Sequence, residues 1–219
     1  MNKTLKLAML IVLAMLLVGW VDTGTMQAQR RGHIAVVLAD GKVLVAGGEM
    51  LSGTTLTTLA SAELYDPTTG KWTTTGAMVA ARVRHVGAML PGGKVLVVGG
   101  DGGTSDELYN PGAGTWSYTG NTSVARSAPT ATALADGRVV VAGGSINFTL
   151  AEVYDPGAGT WTGAGSLSRV RTQHAAAPLP GGKVLVAGGL DLSTSPSTCL
   201  AAAEIYDPAS NAWTPAAPM

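Results

Sequence analysis

Cysteine is nearly missing from this 219-residue chain: Cys199 stands alone, so it can form neither an intrachain disulfide nor a cysteine metal cluster. Charge is sparse as well. Lysine plus arginine and aspartate plus glutamate number 14 each, so no net field draws the chain to nucleic acid or to an anionic membrane. Phenylalanine occurs once, at Phe148. Nucleotide loops are missing too. The stretch "VVGGDGG" (97–103) offers Gly100 and Gly102 as a G-x-G, but the third glycine position falls on Ser105 and no helical period follows. No G-K-[ST] completes a phosphate loop, and no G-x-S-x-G elbow or nucleophilic cysteine with plausible partners is present.

What the chain has in quantity is apolar residues, at 46%, and 30 glycines, which together allow a sizeable core joined by many tight turns. Lys3 and Lys6 precede the apolar run Leu7 to Val18, the pattern of a secretory signal or a short N-terminal anchor, assigned to residues 1–25. Ala28 has Met26 rather than a small residue two places before it, so the cleavage point stays open. The expected location is secreted, periplasmic or on the cell surface.

The glycines recur in pairs. "GKVLVAGG", "GKVLVVGG", "GRVVVAGG" and "GKVLVAGG" end at Gly47-Gly48, Gly99-Gly100, Gly143-Gly144 and Gly188-Gly189. Each is followed by Glu-apolar-Tyr-Asp/Asn-Pro and then by a tryptophan seven residues after the tyrosine: Tyr65 and Trp72, Tyr109 and Trp116, Tyr154 and Trp161, Tyr206 and Trp213. Upstream of each pair stands Arg-x-x-His or a variant of it, starting at Arg30, Arg82, Arg126 and Arg171; the third copy has Pro129 in place of histidine. Tyrosine spacings of 44, 45 and 52 lie in the range of propeller blades. The units run about 26–77, 78–121, 122–166 and 167–219.

Within a unit, two apolar runs flank Asp-Gly or Gly-Gly, which reads as a tight hairpin with a primed turn. "ELYDPTTGKWT" reads as strand, turn, strand, with Asp66 accepting turn amides and Gly70 at positive φ. The strands are apolar on both faces, so single sheets cannot be stable and must stack radially. The expectation is an all-β propeller of four blades, each a four-stranded antiparallel sheet. An open or incomplete ring ranks ahead of a closed one, because no strand is left over at either end to latch it.

The combined pattern of Arg-x-x-His, apolar hairpin, Gly-Gly, Glu-x-Tyr-Asp-Pro and Trp over residues 26–219 resembles the kelch repeat, of the bacterial secreted type within the galactose oxidase-like central domain superfamily. That resemblance implies an exported binding or scaffold protein, without cofactor or metal, that recognises a protein or glycan. The alternatives are a carbohydrate-active enzyme similar to the periplasmic sialic acid epimerase, or a truncated, non-functional fragment. A galactose oxidase-like copper site is not expected, since no Tyr-His dipeptide exists and Cys199 lies in a variable loop. His33, His85 and His174 would sit on separate blades, which argues against a shared metal.

By strand parity, the loops after Gly-Gly share one face with the arginine segments. They contain 14, 6, 7 and 14 residues (49–62, 101–106, 145–151, 190–203), and such variable loops are where ligands are usually bound. Arg30, Arg82, Arg84, Arg126 and Arg171 are the candidate ligand-binding residues, as a cationic ring for a carboxylate or acidic peptide. The competing reading pairs the four repeat arginines with Glu63, Glu107, Glu152 and Glu204 as scaffold. A homodimer that completes the ring is the expected assembly.

Overall fold

The computed structural model describes residues 23–217; the segment Lys3 to Val18 that reads as a signal lies outside them. In the first unit, β1 (Ile34–Val37) and β2 (Val43–Ala46) form the inner hairpin. An arm follows, β3 (Glu49–Ser52) with β4 (Thr55–Thr58), and then β5 (Ala62–Asp66) and β6 (Lys71–Thr75). The sheet order β1-β2-β5-β6 is antiparallel throughout. The second unit repeats it with β7 (Val86–Met89), β8 (Val95–Val98), β9 (Asp106–Asn110) and β10 (Thr115–Tyr118). The third uses β11 (Thr130–Ala133), β12 (Val139–Ala142), β13 (Leu150–Asp155) and β14 (Thr160–Ser166). The fourth consists of β15 (Ala175–Pro178), β16 (Val184–Ala187), a two-strand arm β17 (Leu190–Asp191) and β18 (Thr198–Cys199), then β19 (Ala203–Asp207) and β20 (Ala212–Ala216). Among the described residues no helix is long and apolar enough to cross a membrane.

Turn chemistry follows the residues closely, with one correction. The inner hairpin of the first unit is not a two-residue primed turn: Leu38 N–H still bonds to the Lys42 carbonyl, so the loop is Ala39-Asp40-Gly41, with Gly41 at φ 84°. A three-residue loop ending in a left-handed glycine carries the extra residue that Asp-Gly alone left uncounted. At the outer hairpin Asp66 Oδ1 accepts the Thr68 N–H at 2.8 Å and Gly70 takes φ 67°, as the residues imply.

Register is equal in all four blades. Val43, Val95, Val139 and Val184 face Tyr65, Tyr109, Tyr154 and Tyr206, which in turn face Trp72, Trp116, Trp161 and Trp213. Tyrosine and tryptophan ring centroids lie 4.9 to 5.1 Å apart and tilted, a favourable aromatic geometry. Three apolar layers then join neighbouring blades. Leu44, Ala46 and Ile34 of blade 1 meet Val95, Val97 and Tyr109 of blade 2; Leu96 and Val98 meet Val139, Val141 and Tyr154; Val140 and Val153 meet Val184, Val186 and Tyr206. Indole donors pin each layer at its rim: Trp116 bonds to the Gly76 carbonyl (2.7 Å), Trp161 to Gly120 (2.8 Å) and Trp213 to Ala164 (2.8 Å).

Among the described residues the arc does not close. Blades 1 and 4 share no hydrogen-bonded strand pair, and their outer faces are less covered than their counterparts: Val43 and Tyr65 on one end, Leu185 and Ile205 on the other, are only half-buried. Val95 and Leu96, at equivalent places inside the arc, are fully buried. Truncating Trp116→Ala removes a ring from the layer between blades 1 and 2 together with its bond to Gly76. The expected loss is about 3 kcal/mol of unfolding free energy, read from urea titration of the variant against the parent.

Candidate functional site

Each blade contains one arginine–glutamate clasp. Arg82 donates from Nε and Nη2 to Glu107 Oε1 at 3.1 and 2.9 Å, and from Nη1 to the Gly99 and Ser105 carbonyls at 2.9 and 2.7 Å. The glutamate then accepts the Val79 and Ala80 backbone N–H groups at 2.7 and 3.0 Å. Arg30 with Glu63 (2.8 Å), Arg126 with Glu152 (2.7 Å) and Arg171 with Glu204 (2.6 Å) repeat the arrangement, each arginine also holding the first Gly-Gly carbonyl. All four guanidinium side chains are wholly buried.

The cationic ring expected from these four arginines is therefore not formed. Their positive charges are neutralised inside the blades, where no solute reaches them without opening a buried pair. Arg84 is different. It is exposed, has no ion pair among the described residues, and stands at the mouth of the central channel.

The backbone explains where Arg84 points. Gly32, Arg84, Ala128 and Gln173 hold the third place of the four Arg-x-x-His segments, and all adopt φ between 51° and 65°. Three hydrogen bonds run blade to blade through them: Arg84 N–H to Gly32 (2.8 Å), Ala128 to Arg84 (2.6 Å), Gln173 to Ala128 (3.1 Å). Left-handed non-glycine residues cost strain, and this relay compensates for it. The mouth is a recess of about 380 Å³ lined by Gly32, His33, Arg84, His85, Ala128 and Gln173 among others, with no carboxylate in the lining.

Beside it, on the same loop face, a second groove of about 390 Å³ runs between blades 2 and 3. Val83 and Ser127 form its inner end, Gly102 one flank, and Ile146, Asn147 and Phe148 of the loop 145–149 the other. Ile146 and Phe148, two residues apart in this loop, are 53% and 49% exposed. Sequence reasoning selected this face but not these two residues; the available signal was that the chain's one phenylalanine lies in a variable loop. The arm of blade 1 adds Leu51 and Leu56, also exposed.

The histidines serve the blade contacts. His85 Nε2 donates to the Ala46 carbonyl of the preceding blade at 3.1 Å, and His174 Nε2 meets Thr130 Oγ1 at 2.9 Å. Burial, with Arg82 or Arg171 nearby, lowers both pKa values to about 4, so they are neutral at pH 7. No three His, Cys, Asp or Glu side chains converge as a metal site among the described residues. One acid is out of pattern: Asp106 stands where Ala62, Ala151 and Ala203 stand in the other blades. It accepts the Gly99 and Thr122 N–H groups, and burial raises its pKa to about 7.

Four stacked antiparallel sheets about a common axis define the chain as a β-propeller. Its motifs then identify it more closely: the kelch motif model matches residues 30–78 and 171–219, which are blades 1 and 4, and the chain is a kelch-repeat protein. No curated protein matches it in sequence. Among solved structures it is similar to one titled "Structure of YjhT", at 12% identity, covering 92% of this chain and 74% of that one with a TM-score of 0.77, which is a likeness of fold. A kelch propeller supports protein-interaction scaffolds and enzymes alike, so the class alone leaves the activity to the loops.

Glu152→Ala leaves the Arg126 charge buried and without an ion-pair partner among the described residues. The expected loss is about 3 to 5 kcal/mol of stability, measured by chemical denaturation. The pH response has a definite sign. His85 and His174 bind protons only when unfolded between about pH 6.5 and 4, so their contribution is complete above 6.5 and lost as pH falls toward 4. Asp106 opposes this, since its contribution is complete below the ordinary carboxylate range and lost as pH rises through about 7. Two histidines outweigh one acid, so stability declines on acidification. In His85→Gln that decline is shallower by up to about 1.4 kcal/mol per pH unit, read from denaturation midpoints between pH 7 and 4.5.

Proposed function

We propose that this protein is a binding scaffold that captures a protein segment on its loop face, with an apolar side chain of the partner in the groove under Phe148 and an acidic one at Arg84. The observation that carries this reading is the pair Ile146 and Phe148, held exposed at a groove lined also by Val83, Arg126, Ser127, Ser145 and Asn147. Exposed apolar patches of this kind mark interaction sites. The groove has few side-chain hydroxyls or amides, namely Ser127, Ser145 and Asn147, too few to satisfy the hydroxyls of a glycan. Val83 and Arg84 are consecutive, so the groove leads directly into the carboxylate-free mouth. A partner with an apolar residue and a nearby carboxylate fits both recesses at once.

A peptide display library selected on the purified protein tests this. Enriched sequences are expected to combine an aliphatic or aromatic residue with Asp or Glu, and their affinity is expected to fall about tenfold or more in Phe148→Ser and in Arg84→Glu. Val37→Ser, an exposed change outside both recesses, leaves binding unaltered. Selected peptides without acids, affinity indifferent to both variants, or selective capture of a glycan on an array overturns the reading.

A further inference from the structure

In blade 1 two N–H groups on the loop face are met by backbone carbonyls of the loop that follows Gly47-Gly48: Gly47 donates to Ser61 (3.0 Å) and Met78 to Ala60 (2.8 Å). Blade 4 keeps the first of these bonds, Gly188 to Ala202 (3.1 Å), and blade 3 the second, Leu167 to Thr149 (2.9 Å). Blade 2 has the shortest such loop, 101–106, and there one side chain takes both places. Asp106 Oδ1 accepts the Gly99 N–H at 3.3 Å and Oδ2 the Thr122 N–H at 2.9 Å. Thr122 is itself buried where Met78 and Leu167 stand in the neighbouring units, and its hydroxyl turns to the Thr104 and Val124 carbonyls at 3.4 and 3.2 Å. Asp106 and Thr122 thus form one polar pair in a place that is apolar elsewhere.

The two N–H groups belong to different parts of the groove lining. Gly99 leads into Gly100 and Gly102, and Thr122 opens the linker that carries Ala125, Arg126 and Ser127. A backbone carbonyl accepts at any pH, whereas a carboxylate that takes a proton turns one of its oxygens into a hydroxyl donor. Asp106 is wholly buried, so solvent does not replace a bond that it releases. The charged and titratable groups that face it are Arg82, which favours its ionised form, Asp101, which opposes it, and the Tyr154 hydroxyl of the next blade, uncharged near neutral pH. Glu107, next in the strand, is held by Arg82. Burial outweighs Arg82 and raises the Asp106 pKa to about 7.

We propose that Asp106 is a positioning residue of the loop-face groove: ionised, it braces both parts of the lining at once, and protonated it releases one of them, so that capture of the partner weakens. The brace stands on its own hydrogen bonds, while its effect on capture rests on the scaffold reading, and two measurements keep them apart. Amide resonances of Gly99 and Thr122 in the whole protein, followed by NMR from about pH 5.5 to 8.5, are expected to shift together with one midpoint near 7. Met78 and Gly188, bonded to carbonyls, show no such step, and in Asp106→Asn the step disappears. Gly99 and Thr122 without a step in the parent overturn the brace. A histidine-free peptide from the display selection is expected to bind the parent about three- to tenfold more weakly at about pH 6 than at about pH 8. Its affinity midpoint coincides with that of the two amides, and the ratio falls to about one in Asp106→Asn. The variant is needed because His33, at the channel mouth and with its pKa lowered by burial, also titrates toward acid pH. An affinity that does not follow the amide midpoint, or an equal ratio in parent and variant, overturns the link between brace and capture. A selection that enriches no peptide shows instead that the scaffold reading has failed, and the amide titration alone then decides the brace.

Discussion

The buried arginine–glutamate clasp is the interaction on which the rest of this molecule depends. Burying an ion pair is costly unless its remaining donors and acceptors are all used, and the planar guanidinium suits that requirement. In blade 2 one arginine holds a glutamate and two loop carbonyls, while the glutamate holds two N–H groups of the linker. Three segments distant in sequence are thereby joined at one point: the linker from the previous blade, the Gly-Gly turn, and the start of the third strand. Glycine is needed there because the next blade's Arg-x-x-His segment leaves no room; a Cβ on Gly47 would lie 2.8 Å from the Arg82 carbonyl oxygen and 2.6 Å from the His85 ring.

Once the clasp sets the linker path, the third residue of each Arg-x-x-His segment is forced into left-handed backbone around the channel mouth. That residue is free to vary in side chain, since only its backbone takes part in the relay. In blade 2 it is Arg84, and the chain gains an exposed cation at the axis. Two arginines only two positions apart thus end in opposite surroundings: Arg82 is sealed inside the blade and Arg84 faces solvent.

The apolar layers follow a similar economy of parts. Each blade offers a Val–Tyr–Trp face to its predecessor and a face of small aliphatic residues to its successor, so successive units fit together. The open arc shows what happens without a neighbour, with Val43 and Tyr65 at one end and Leu185 and Ile205 at the other partly exposed. Residues 24–28 shield one corner of the first of these faces. The neutral histidines belong to the same layers, because a charged imidazole between blades would have no acceptor for its second proton: Nδ1 of His85 and of His174 is buried without a partner.

By itself the sequence determined the repeat, the four-stranded unit, the pairing of tyrosine with tryptophan and the face that carries the variable loops. These are periodic, and local hydrogen-bonding and apolar patterns specify them residue by residue. It also contained both roles for the repeat arginines, but a charged residue at a repeated place is compatible with a ligand ring and with a clasp. Only the tertiary structure decided between them, because burial depends on what the following strands bring to within 3 Å of the guanidinium. The exposure of Ile146 and Phe148, the left-handed turn at Arg84 and the extra residue in the inner hairpin were likewise settled in three dimensions. Each depends on how neighbouring blades crowd one backbone position, and no single stretch of residues encodes that.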